Sequence, residues 1–247
     1  MNAKKKLKTG ARIAIGLATF LLVLGGVFLI YVSDYSHADE AAVAAAISAT
    51  DVHISNTDGA LVFDPGNADT ALIFYPGGKV EYTAYEPLMI QIARQGILCI
   101  LPEMPFNLAV FDINAADAYL PQYPGISHWY VGGHSLGGSM AASYAAKNSE
   151  KLEGLILLAS YSASDISQSE LNVLSIFGSK DGVLNMDSYR SSRSNLPADF
   201  SELILSGGNH AGFGNYGPQK GDGTAEITPE QQQAETAEAV AEFCLTQ

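Results

Sequence analysis

The chain has 247 residues, a formal net charge of −13 and only two cysteines. That length suits one α/β domain of ordinary size with an appendage. Five of the 13 basic residues precede Ile13, leaving 8 against all 26 acidic ones, a balance of −18 that repels nucleic acid and anionic lipid headgroups and argues against both as partners.

The appendage comes first. Lys4, Lys5, Lys6, Lys8 and Arg12 form a basic segment over residues 1–12, followed by the uncharged run "IAIGLATFLLVLGGVFLIYV", Ile13 to Val32. About 20 apolar residues match the hydrocarbon core of a bilayer and exceed the usual apolar region of a cleaved signal peptide. The flanking lysines put the N-terminus in the cytoplasm and the rest outside. The expectation is a single-pass signal anchor over 13–32, a linker over 33–50 and an extracytoplasmic domain over 51–247. The small residues of "SHA", Ser36 to Ala38, keep open a cleaved segment and a secreted domain.

Within the linker, "HADEAAVAAAISATD" reads as a helix or helical linker. "VHIS" and "ALVFD" flank "NTDG" and predict an antiparallel hairpin. Short apolar runs follow at 71–75, 97–101, 128–133, 155–159, 173–178 and 202–206. They are continuous rather than alternating, which predicts strands buried on both faces, as in a parallel sheet covered by helices. "YEPLMIQIARQG", "GSMAASYAAKN" and "DSYRSSRSN" supply helices between them, the second starting near Ser139. The last helix begins with Thr228 as cap and Pro229 in its first turn. The fold class is thus α/β, a doubly wound, mostly parallel sheet preceded by the hairpin and one transmembrane helix. Cys99, in a buried strand, and Cys244, on the last helix, are expected to be free thiols, and no Cys/His spacing calls for a metal or cofactor.

"GHSLG", Gly133 to Gly137, fits G-x-S-x-G between a predicted strand and helix, the setting of a nucleophile elbow. Ser135 needs a base. Of the five histidines, His210 in "SGGNHAGFG" directly follows the last strand, where functional residues of open α/β sheets collect. Asp181 in "IFGSKDGV" also follows a strand and is the candidate to orient the histidine, ahead of Asp165 and Asp187. The oxyanion donors would be the amides of Leu136 and of Gly78 in "PGGKV", with Lys79 the second choice for the latter.

From about Ala71 to Leu245 the chain resembles the α/β-hydrolase fold in its small, dienelactone-hydrolase-like branch, through "PGG", "GHSLGG", "GSKDG" and "GGNHAGFG" in that order. The resemblance implies hydrolysis through an acyl-enzyme, with Ser135, Asp181 and His210 in the triad positions. Dienelactone hydrolases proper use a cysteine nucleophile; with serine here, the resemblance implies ester or lactone hydrolysis only as a class. The thirteen residues Ser160 to Asn172 leave no room for a cap domain, so the site is expected to be open and walled by short loops. Phe106, Tyr161, Phe213 and Tyr216 are candidates to line it, and Lys79 and Glu103 to give it polarity. The expected function is a serine hydrolase of small-molecule carboxylic esters. An acyltransferase, thioesterase or peptidase on the same triad, or a non-catalytic surface binding domain, stays open. The sequence carries no signal for oligomeric state.

Overall fold

The structure, a computed structural model, describes residues 9–57 and 59–246, so the lysines of the basic segment lie outside the described residues. The chain divides into two units, Met1–Tyr35 and Ser36–Gln247. The first is helix α1, Thr9–Ser33, of which Ile13–Ser33 is long and apolar enough to cross a membrane. Its Leu22 and Ile30 are among many exposed apolar side chains. A helix apolar all round needs lipid or protein around it, and both an anchor and a signal sequence have this character.

The second unit is an eight-stranded sheet in the order β1-β2-β4-β3-β5-β6-β7-β8. Its strands are β1 (His53–Thr57), β2 (Ala60–Asp64), β3 (Thr70–Tyr75), β4 (Leu98–Pro102), β5 (His128–His134), β6 (Gly154–Leu158), β7 (Asn172–Gly178) and β8 (Ser201–Leu205). β3 to β8 run parallel; the β1–β2 hairpin joins through an antiparallel β2–β4 pair, Ala60 facing Pro102. Every residue of β3, β4 and β6 is buried. Along β3, Leu72 and Phe74 enter the core shared with helices α3 (Glu86–Ala93) and α6 (Pro229–Leu245). Ala71, Ile73 and Tyr75 enter the opposite core, with α4 (Leu136–Ala145). The two-residue period of a strand thus divides one apolar run between two layers of helix.

Two features differ from expectation. Residues 36–50 are part of the folded unit and not a linker. Asp39 caps α2 (Glu40–Ser48), its backbone N–H donates to the Asn215 carbonyl at 2.7 Å, and α2 packs on α3 with Val43 buried. Helix α4 starts at Leu136 rather than near Ser139, because Ser135 itself makes the turn. Between β4 and β5, where no helix was expected, the chain takes four 3-10 turns, from Pro105 to Gln122. Pro105, Pro121 and Pro124 interrupt that stretch, and proline removes the donors a longer helix needs. The remaining helix, α5 (Met186–Ser192), connects β7 to β8. With the parallel strands aligned, the turns after β3 to β8 all emerge at one edge.

Candidate active site

Ser135 leaves β5 with φ 52° and ψ −121°, a backbone conformation that costs a non-glycine residue about 1–3 kcal/mol. Neighbours on both sides hold it there. Its N–H donates to the Leu158 carbonyl at 2.9 Å, and its own carbonyl accepts the Ser160 hydroxyl at 2.7 Å. A Cβ on Gly137 would stand 2.2 Å from the carbonyl oxygens of Tyr75 and Pro76, and one on Gly133 2.6 Å from the Tyr75 oxygen. The glycines of G-x-S-x-G are therefore demanded by the end of β3, which passes directly against the turn.

His210, in the loop after β8, places Nδ1 2.9 Å from Oδ2 of Asp181, with both side chains almost fully buried. The other oxygen of Asp181 accepts the amides of Val183 and Leu184, each at 2.8 Å. A carboxylate held this way accepts a hydrogen bond from Nδ1–H and leaves Nε2 as the acceptor. That Nε2 is buried and has no hydrogen-bond partner among the described residues. His210 and Ser135 line one cavity of about 260 Å³ together with Leu136, Ala159, Tyr161 and Asn185. Asp165 and Asp187 are on the exposed surface, where Asp187 pairs with Arg190.

Among the three amides of the turn after β3, Gly77 donates to the Tyr85 hydroxyl at 3.1 Å and Lys79 to the Asn107 carbonyl at 2.8 Å. Gly78 is left without an acceptor among the described residues, and a Cβ there would stand 2.7 Å from Cδ2 of Leu136. The Leu136 amide is the first of α4, an orphan donor of the helix start. The two candidate oxyanion donors thus belong to residues in contact, whereas the Lys79 amide is committed elsewhere.

The candidate lining residues separate. Tyr161 borders the cavity. Phe213 is fully buried beneath it, with its ring 5.5 Å from that of His134, and Tyr216 is buried against Tyr85. Phe106, Lys79 and Glu103 fall outside the cavity lining; Phe106 instead packs edge-on against Phe111 at 5.6 Å.

Three residues near the site were given no role from the sequence, His134 having been set aside as the base because it belongs to the turn of Ser135 itself. Asp222 accepts the amides of Gly182 (3.0 Å), His210 (3.2 Å) and Gly223 (2.8 Å) on one oxygen and that of Ala211 (2.9 Å) on the other. It ties the loop of Asp181 to the loop of His210. Gln232, on α6, grips the residue before the histidine by both ends of its amide, accepting from Asn209 N at 3.0 Å and donating to Asn209 O at 2.8 Å. His134 lies with its ring 4.6 Å from that of His210 and its Nδ1 2.8 Å from the Tyr85 hydroxyl. The same hydroxyl accepts from the Gly77 amide, so it joins His134 to the turn after β3. Burial first, and the His210 ring second, hold His134 well below the usual histidine range, so it stays neutral.

Residues 71–234 match the model of the Alpha/beta hydrolase family, more than half of the chain. The fold is similar to that in "Crystal structure of Dienelactone hydrolase from Anabaena variabilis ATCC 29413", with a TM-score of 0.57 over 79% of this chain and 96% of that one. Sequence identity in that pair is 14%, so the likeness is one of fold. No curated protein matches the chain.

Proposed function

Because the chain belongs to the alpha/beta hydrolase family, we propose that it is a serine hydrolase that cleaves small carboxylic esters through an acyl-enzyme. The observation that carries this reading is the His210–Asp181 pair at 2.9 Å, with the vacant acceptor Nε2 beside the cavity that Ser135 lines. His210 Nε2 takes the Ser135 proton as Oγ attacks the ester carbonyl. The resulting oxyanion accepts from the Leu136 and Gly78 amides, while Asp181 stabilises the imidazolium. Collapse expels the alcohol, which leaves with the proton from His210. Water then repeats the sequence on the acyl-serine, releasing the acid and the free hydroxyl. His134, kept neutral, adds no second positive charge beside the imidazolium. With no cap over the cavity, the acyl and alcohol parts of the substrate both extend toward solvent. In this reading α1 is a retained anchor and the hydrolase domain stands outside the membrane.

The test is a fluorophosphonate probe on the full chain, with the adduct mapped by mass spectrometry. The adduct is expected on Ser135 and lost in His210→Ala. Ester turnover in Ser135→Ala should fall by a factor of about 10³ or more. A folded protein without adduct would overturn the reading and leave a binding domain.

A further inference from the structure

No lysine, arginine or carboxylate lines the cavity that Ser135 and His210 share. Leu136, Val183 and Leu184 give it apolar walls, and hydroxyl and amide side chains complete it. The cations nearest to it in sequence are committed elsewhere, Lys180 to Glu226 at 2.7 Å and Arg190 to Asp187 at 3.6 Å. Behind His210 stand two carboxylates, Asp181 and Asp222, which receive the imidazole and backbone amides rather than a lysine or arginine. Together with the acidic surplus of the chain, they make the potential around the site negative. A carboxylate on a substrate would leave water for a cavity without a counter-charge, which is costly.

The polar side chains of the lining differ in which hydrogen bonds they have already made. Ser139 donates its hydroxyl proton to the Tyr161 carbonyl at 2.8 Å, and Ser160 donates to the Ser135 carbonyl at 2.7 Å, so both protons are committed. Asn185 caps helix α5 by accepting the Ser188 amide on Oδ1 at 2.9 Å. Its Nδ2 keeps two N–H groups without an acceptor among the described residues. The Tyr161 ring packs against the cluster of Phe177, Leu184 and Tyr189, and its hydroxyl has no partner among the described residues. The cap fixes one of these donors and packing fixes the other. Donors held in place and unpaired are suited to an oxygen brought by a ligand. At about 260 Å³ the cavity is smaller than the roughly 300–1,000 Å³ of pockets that take drug-sized ligands.

We propose that the site selects short, neutral esters that carry a further oxygen, with the Tyr161 hydroxyl and the Asn185 amide as donors to that oxygen, and that it rejects esters bearing a carboxylate. The proposal rests on the hydrolase reading above and adds to it a substrate class and two residues that set specificity. A hydroxyl, ether or carbonyl oxygen on the substrate replaces water at the two donors, and each such neutral hydrogen bond favours its substrate by a few-fold to about tenfold. A carboxylate at the same place loses its hydration and meets no cation, so the two oxygen substituents have opposite effects.

The experiment compares four esters of similar size on the full chain: ethyl butanoate, ethyl 3-hydroxybutanoate, 2-hydroxyethyl butanoate and monoethyl succinate. The hydroxyl is in the acyl half of the second and the alcohol half of the third, and the fourth is an anion. One of the two hydroxy esters should exceed ethyl butanoate in kcat/KM by about tenfold, and monoethyl succinate should fall below it by about tenfold or more. Tyr161→Phe removes one donor. Asn185→Ser removes the other and keeps an oxygen for the cap of α5. Each should lower the ratio of hydroxy ester to ethyl butanoate about fivefold. The same ratio in the parent and both variants, or monoethyl succinate turned over as fast as ethyl butanoate, would overturn the proposal. Turnover of none of the four by the parent would count against the hydrolase reading. Binding of the same compounds to full-chain Ser135→Ala, followed by ligand-observed NMR, would then decide the selectivity. The expected order of affinities, lost when Tyr161→Phe is added, would uphold it, and equal binding of all four would overturn it.

Discussion

Asp222 touches neither Ser135 nor the cavity around it, yet its two oxygens receive four backbone amides. Hydrogen bonds to a charged group contribute about 1.5–3 kcal/mol each, and leaving such donors unpaired is costly. Asp222→Ala should therefore destabilise the domain by about 2–4 kcal/mol in urea denaturation. It should also lower kcat more than it raises KM, because the spacing of Asp181 and His210 loosens; Asp222→Asn, with one acceptor oxygen, should fall between. A change confined to stability would deny Asp222 any part in positioning. Glu86 gives a pH signature. It is buried at the start of α3, and burial pushes its carboxyl up to about 7. The folded state holds this proton more tightly than the unfolded chain, so the stabilisation is complete below about pH 4.5 and is lost as pH rises through about 7. Glu86→Gln should be near parity with the parent at pH 4.5 and more stable by roughly 1–3 kcal/mol at pH 8, read from melts at the two pH values. An equal difference at both would refute the assignment.

At the scale of elements, the elbow is the tightest junction. Gly137→Ala would drive a methyl into two backbone oxygens that cannot retreat without moving β3. The expected cost exceeds about 4 kcal/mol, with loss of phosphonate labelling even in protein that remains soluble. Labelling at the parent rate would show that the junction yields. The strands were legible because a run such as "ALIFY" is apolar at every position, and only burial on two faces explains that. The start of α6 was legible from Thr228 and Pro229, and Thr228 and Gln231 indeed form a reciprocal capping box. Helix α2 was legible as a helix but not as part of the domain, since a segment that is mostly alanine, with only Val43 and Ile47 larger and apolar, marks no clear face. Asp222 and Gln232 were not legible at all. Their partners are backbone amides and carbonyls, which every residue carries, so no side-chain pattern signals them. Ser135, Asp181 and His210 could be singled out because each is a chemically distinctive residue just beyond a strand.

The whole molecule sets the boundary of what folds. A fragment beginning at residue 51 would lose the Ser36 contacts with Lys79 and Glu81, the Asp39–Asn215 bond and the burial of Val43. Its Tm should lie roughly 5–15 °C below that of a fragment beginning at Ser36, measured by circular dichroism. Equal Tm values would mean that residues 36–50 ride on the domain without supporting it. Strand order acts at the same scale. From β3 the chain passes through α3 to β4, on the β1 side; β5, next in sequence, pairs with β3 on the other side, and α4 after it covers the opposite face. Where successive connections diverge from one strand, a crevice opens at the switch point between them. Its two lips are the turn after β3 and the turn after β5, which carry Gly78 and Leu136. A place for a negatively charged oxygen is thus inherited from connectivity, available to any sequence that keeps this strand order, whatever nucleophile it later acquires.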